Sequence, residues 1–286
     1  MPCPYFLMDQ PLAPGLYIVA TPIGNLGDMT SRAAETLRRV DSILAEDKRV
    51  TAKLLAHIGA KARMTAYHDH SDDALRERIV GELNSKAIAL VSDAGTPLIS
   101  DPGYKLVRAA RKAGHAVHSL PGPCAAIAAL TLAGLPTDRF LFAGFLPSKA
   151  KARSDAIAEI AGVRASLVFY ESGPRLAESL TALADGLGAR DAAVVREISK
   201  LHEETVTGKL DELAARYSES PPKGEIVIVV GPPPEREAAS DEDLDEALQA
   251  ALSTLSPSRA AAEVAARLGV PRKRAYARAL DLAGKA

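Results

Sequence analysis

The sequence predicts an α/β protein: two α/β domains followed by a small all-helical one. Three observations carry this. Short continuous apolar runs alternate with stretches of helical periodicity from Leu16 to Leu120. The segment Val91 to Gly103, VSDAGTPLISDPG, empties a strand into a loop rich in Asp, Gly and Pro. The run Gly231-Pro232-Pro233-Pro234 reads as an extended linker, beyond which every apolar pattern is helical. The predicted bounds are 1–121 and 122–232 for the α/β domains and 233–286 for the linker and helical tail.

The elements follow in order. Leu16 to Ala20 (LYIVA) is the first strand and ends in the turn-rich Thr21 to Asp28. Thr30 or Ser31 caps a helix to Val40, whose Ala33, Ala34, Leu37 and Val40 recur at helical spacing. Ser42 to Ala45 is the second strand, with Glu46 to Arg49 at its carboxyl end. A helix from Val50, a polar turn around His68 to Asp73 and a helix to Leu83 lead to the central strand, Ala87 to Val91. A helix starts after Gly103, and Ala116 to Leu120 is a strand that stops at Pro121-Gly122-Pro123. Strand–helix alternation implies a largely parallel sheet. Strands without strict apolar–polar alternation imply that both its faces are covered.

After Pro123 comes an Ala/Leu/Ile helix, Cys124 to Ala133, and then a strand, Arg139 to Phe145. Leu167 to Tyr170, Ala192 to Glu197, Thr205 to Lys209 and Glu225 to Val230 are further strands, with helices between them. Their shorter, hairpin-like spacing predicts a mixed sheet. In the tail, Ser256-Pro257 starts a helix, Gly269 stops it and Pro271 opens another. Pro257 to Ala286 carries seven Lys/Arg against two acids. A helix, a Gly turn and a basic helix read either as a helix-turn-helix-like nucleic-acid contact or as a solvated amphipathic pair.

Composition narrows the class. The chain has 286 residues, 47% hydrophobic and 25% charged, as soluble globular proteins do. A net charge of −1 offers no global pull toward nucleic acid, so only local patches can supply one. Cys3 and Cys124 are too few for a disulfide framework, which points to a reducing, cytoplasmic setting. No apolar run approaches a membrane span. The segment before Gly15 lacks a basic n-region and reads as a loose leader.

The common glycine fingerprints for nucleotides are absent, as are H-E-x-x-H and G-x-S-x-G. Instead, four turn-rich loops follow strands: Thr21 to Asp28, Asp93 to Gly103, Pro121 to Ala125 and Glu171 to Arg175. Loops at strand carboxyl ends are where open α/β sheets hold ligands. Proline and glycine there fix amides and carbonyls, which suits a ligand read mainly by backbone groups.

The strings YIVATPIGNLGDMTSRA, AEDKR, HDHS, LVSDAGTPLISDPGY, LPGPCAAI, GLPTDRFLFAGFLPSK, FYES and KGEIVIVV carry a family resemblance. In order from Gly15 to Gly231, the chain resembles the bacterial 16S ribosomal RNA cytidine 2′-O-methyltransferases, which have the tetrapyrrole-methylase fold. The resemblance implies two α/β domains with a cofactor cleft between them and S-adenosylmethionine as donor. It also implies a cytidine ribose of small-subunit rRNA as acceptor, and a homodimer. Lys48 stands where that family has Thr, and Ser172-Gly173-Pro174-Arg175 replaces its SPHR string.

Carried over loop by loop, the resemblance assigns Pro22, Ile23 and Gly24 to the cofactor, then Asp93, Ala94, Gly95 and Thr96 with Asp101. Cys124 and Ala125 are the third contact, Glu171 the fourth, and Gly224 with Glu225 the fifth. Asp93 is expected to meet the donor's amino group, or else to cap its own turn. Cys124 reads as a small residue packed beside a ligand, although a helix N-terminus also lowers a thiol's pKa.

A ribose hydroxyl is a poor nucleophile until its proton begins to leave. Glu46 and Asp47 lie on the rim of the second strand, and Asp47 is the candidate base or acceptor-positioning group. Its alternative is an ion pair with Lys48 or Arg49. His68-x-His70 falls short of a zinc set, so no metal is expected. RNA phosphates would meet Arg32, Arg49, Lys149, Lys151, Arg153 and Arg175, and in the tail Arg272, Lys273 and Arg274. Two other readings compete: a C-methylase of a tetrapyrrole precursor, and an RNA- or ribosome-binding protein without catalysis.

Overall fold

The computed structural model describes residues 11–68, 72–234 and 240–284. It falls into two compact units that divide between Pro233 and Pro234, inside the proline run.

The first unit holds two five-stranded sheets. In chain order, its opening half contains β1 (Gly15–Val19), α1 (Ser31–Arg39), β2 (Ser42–Ala45), α2 (Lys48–His57), β3 (Arg63–Ala66), α3 (Asp73–Glu82), β4 (Ala87–Val91), α4 (Tyr104–Lys112) and β5 (Val117–Leu120). The strands run in the order β3-β2-β4-β1-β5, all parallel. Ala87, Ala89 and Val91 of β4 pack with Leu37 and Leu54 on one face. Ile88 and Leu90 pack with Ile79 and Leu106 on the other. Both faces are therefore covered, and an apolar residue at every position of β4 is what that burial requires.

Helix starts follow the short polar residues. Thr30 accepts from the Ala33 amide, and Asp72 accepts from Leu75 at 2.7 Å. Helix α2 begins at Lys48, earlier than Val50, because the Asp47 carboxylate caps it through the Arg49 amide. Sequence periodicity also passes over β3. This edge strand has only four residues, none of them buried, so it leaves no apolar run to read.

The other half contains α5 (Ala125–Leu132), β6 (Phe140–Phe145), α6 (Ala150–Ile160), β7 (Ser166–Ser172), α7 (Leu176–Leu187), β8 (Asp191–Arg196), β9 (Glu204–Lys209), α8 (Leu210–Glu219) and β10 (Glu225–Val230). Its sheet order is β6-β7-β10-β8-β9, with β6–β7 parallel and the other pairs antiparallel. Phe169 and Ile228 face α6, α7 and α8. Val168 and Val227, one residue along, face α5.

The second unit contains α9 (Asp241–Leu252), α10 (Pro257–Leu268) and α11 (Arg272–Ala283). Leu244, Leu248, Val264, Ala275 and Ala279 form its core. Gly269 ends α10 in the left-handed conformation at φ 68°. Arg278 binds Asp245 through two parallel hydrogen bonds of 2.5 Å, and Arg274 reaches Asp241 at 2.7 Å. These ion pairs tie α11 to α9. No described helix is long and apolar enough to cross a membrane.

Candidate active site

The loops at the strand ends of the first sheet are joined to one another. Thr21 and Gly95 exchange backbone hydrogen bonds of 2.8 and 3.1 Å, uniting the first and second loops. The Thr96 hydroxyl donates to the Pro123 carbonyl at 2.9 Å, adding the third. The Asp47 amide donates to Asp93 Oδ1 at 2.9 Å, adding the AEDKR turn. Tyr170 of β7 ties in the second sheet, since its hydroxyl accepts from the Ala126 amide at the start of α5.

These loops wall a cavity of about 450 Å³, within the range of small-molecule sites. Ile23, Asp93, Ala94, Gly95, Thr96, Asp101, Ala125, Glu171, Gly224 and Glu225 all line it, drawn together from both sheets. Three of the assigned residues do not. Pro22 is buried, Gly24 lies beside the stem of Lys200, and Cys124 lines a neighbouring hollow with Pro123.

Sequence reasoning also missed lining residues. Phe145, Tyr170, Glu197, Ile198 and Lys200 are among them. Lys200 is the lone cation of the lining among the described residues, and its ammonium lies 3.0 Å from Glu197 and 2.9 Å from Glu225. Burial opposes the charge on Lys200, but the hydrogen bonds to Glu225 and Glu197 outweigh it and raise its pKa. Lys200 in turn lowers that of Glu197. Glu197 and Ser199 hold left-handed backbone at φ 50° and 67°, as do Leu98 and Ser100 at 74° and 63°. Non-glycine strain of this kind collects at ligand sites.

Glu171 is 3% exposed and already committed. Ser179 donates to it at 2.6 Å, the Ser172 amide at 2.8 Å, and Arg175 approaches to 3.6 Å. It braces the wall, and its carboxylate is not free to address a ligand. Arg175 also donates to the Leu146 carbonyl at 2.6 Å, fixing the one-turn helix Gly173–Arg175.

Asp47 does not line the cavity. Its carboxylate lies 2.6 Å from Arg49 and caps α2, and these bonds hold it down to about 2. A carboxyl so acidic takes up a proton poorly at neutral pH. Glu46, the preceding residue, is the one that faces the cavity. Arg153 needs correction too. It is 4% exposed, paired with Glu178 and donating to the Ser148 carbonyl, and so is no surface contact for phosphate. Arg32, Arg49, Lys149 and Lys151 stand on the surface, as do Arg272 and Lys273. Arg274 is engaged by Asp241. His70 lies outside the described residues, and no group of three or more metal-ligating side chains occurs among those described.

The model of the Tetrapyrrole (Corrin/Porphyrin) Methylases matches residues 15–214, and that of the RsmI C-terminal HTH domain matches 238–283. The chain is 58% identical over 273 residues to the ribosomal RNA small subunit methyltransferase I of Erythrobacter litoralis, covering 96% of this chain and 97% of that one. The protein of that name from Escherichia coli O157:H7 is 47% identical over 277 residues, covering 94% and 96%. The chain belongs to this methyltransferase family. Its tetrapyrrole-methylase fold appears again among solved structures. Diphthine synthase matches with a TM-score of 0.60 at 14% identity, over 76% of this chain and 89% of that one. The uroporphyrin-III-C-methyltransferase of Thermus thermophilus matches at 0.54 and 21%, over 76% and 93%.

Proposed function

We propose that the protein transfers a methyl group from S-adenosylmethionine to the ribose 2′-hydroxyl of a cytidine in 16S rRNA of the small ribosomal subunit. The observation that carries this is the cavity, acidic and walled by the loops of both sheets, in a chain whose full-length relatives are named as rRNA methyltransferases.

The lining suits the donor. S-adenosylmethionine carries a sulfonium and an ammonium, and among the described residues Glu46, Asp93, Asp101, Glu197 and Glu225 line the cavity beside the committed Glu171, against one cation, Lys200. Ala94 and Gly224 are exposed at the lining and offer backbone contacts, and Ile23, Ala125 and Val227 an apolar wall. When bound, the donor supplies an electrophilic methyl group with a neutral leaving group. The chain therefore has no departing anion to stabilise, and its task is alignment and exclusion of water. The cross-linked loops give that alignment without rearrangement at the moment of reaction. Glu46 is the carboxylate proposed to accept the hydroxyl proton, with Asp47 and Asp93 holding its turn in place.

The acceptor is approached through surface cations, Arg32, Arg49 and Lys149 in the first unit and Arg272 and Lys273 in the second. We read the working form as a cytoplasmic homodimer, for which exposed Leu26, Ile127 and Leu132 offer apolar surface. Sedimentation would reveal it.

The deciding experiment offers radiolabelled donor with small subunits, naked rRNA and a porphyrinoid. Label in a cytidine ribose supports this reading. Label in the macrocycle supports the tetrapyrrole alternative, and RNA retention without transfer supports a pure binder.

A further inference from the structure

We propose that Phe145 is the platform on which an unstacked nucleobase of the acceptor RNA lies when its ribose enters the cavity, an inference that rests on the RNA methyltransferase reading above. The argument begins with strand register. Phe142 pairs with Val168 and Phe145 with Tyr170, while Gly144 pairs with Phe169, so β6 carries a bulge between Phe142 and Gly144. In a regular strand, residues three apart point to opposite faces. The extra residue brings Phe142 and Phe145 to the same face, and Gly144 absorbs the turn at φ 67°. Without the bulge, the Phe145 ring would be directed to the other side of the sheet.

The bulge places that ring where burial cannot explain it. Phe145 is 56% exposed, yet it lines the cavity wall. Its ring meets Tyr170 edge-on at 5.6 Å, and Phe142 meets the same tyrosine at 4.9 Å. Tyr170 is itself pinned by the Ala126 amide. An open aromatic face thus stands on a fixed support at the edge of the donor cavity. A ribose reaches such a cavity only when its nucleotide leaves the stack, and proteins receive splayed bases on aromatic rings. Base–aromatic stacking recovers part of the cost of unstacking and tolerates any base. Phe145 would therefore set the position of the nucleotide, and other contacts its identity.

Because the chain has no tryptophan, Phe145→Trp introduces a single reporter at this position. Wild type, Phe145→Ala and Phe145→Trp are compared in methyl transfer to small subunits and in donor binding by calorimetry. Phe145→Ala is expected to raise KM for RNA about tenfold or more, a larger loss than in donor affinity. Phe145→Trp keeps an aromatic face there, and its fluorescence is quenched by an rRNA fragment but not by the same fragment made abasic at the labelled nucleotide. Equal quenching by both fragments overturns the proposal. So does an unchanged KM in Phe145→Ala, or a loss of donor affinity in place of RNA affinity. If the wild type labels no RNA, the parent reading falls and this one with it. If the wild type labels RNA and Phe145→Ala does so equally well, only this inference fails.

Discussion

Asp93 Oδ1 accepts the backbone amide of Asp47 at 2.9 Å, joining two loops 46 residues apart in sequence. One carboxylate thereby fixes the turn that carries Glu46 while lining the cavity itself. A hydrogen bond to a charged group contributes about 1.5–3 kcal/mol, and its loss corresponds to roughly tenfold or more in affinity. Asp93→Ala is expected to weaken donor binding by at least that much. Asp93→Asn, which keeps an acceptor oxygen for the Asp47 amide, should lose less. Equal losses in calorimetry would mean that the loop tie contributes nothing.

Glu46→Gln separates binding from chemistry. A positioned general base contributes about 10²–10⁴ in rate. The expected result is a fall of kcat in that range with donor affinity retained. A wild-type kcat would remove Glu46 as the proton acceptor.

Asp47 should behave in the opposite way. Its folded pKa of about 2 lies below the ordinary 3.8, so the stability it contributes is fully present above the ordinary value and is lost as pH falls through about 2. Asp47→Asn should therefore melt at a lower temperature than wild type near neutral pH, with the gap closing on strong acidification. Its rate at neutral pH should stay close to wild type. A kcat loss of about a hundredfold without any change in melting would restore Asp47 as the base.

The stem of Lys200 fills the space a side chain at Gly24 would need. A Cβ there would lie 2.3 Å from Cε of Lys200, and the residue's φ of 144° disfavours any substituent. Gly24→Ala is expected to push Lys200 off Glu197 and Glu225 and to weaken donor binding. Lys200→Ala should relieve the clash, so the double variant binds better than Gly24→Ala. Additive losses would refute the coupling.

In the tail, Leu248 is fully buried, and Leu248→Ala should cost about 3 kcal/mol of that unit's stability while leaving donor affinity intact. Neutralising Arg272 and Lys273 together should lower the salt slope of RNA binding by roughly 1.5. An unchanged slope would take α11 out of the RNA contact.

Much of this was legible beforehand, for identifiable reasons. Ser42–Ala45, Ala87–Val91 and Glu225–Val230 are strands with the bounds read from sequence, because burial on both faces demands a continuous apolar run, preceded in two of them by the polar Ser42 and Glu225. Pro257 and Gly269 mark α10 because the backbone conformations they favour at helix ends are local. Lys200 and Glu197 escaped notice because only the fold of the β8–β9 hairpin brings them against Gly24 and Glu225. Arg153 has the composition of a surface residue, and nothing short of the packing of α6 on α7 shows that it is buried. Phe145 reads as one more strand aromatic until the bulge is counted.

The most direct test is calorimetric titration of the full chain with S-adenosylmethionine and with its demethylated product, alongside Ala94→Trp, which fills the cavity from an exposed lining position. Saturable binding of both ligands at one site per chain is expected, abolished in the folded variant. No heat from the wild type, or equal affinity in Ala94→Trp, would contradict it.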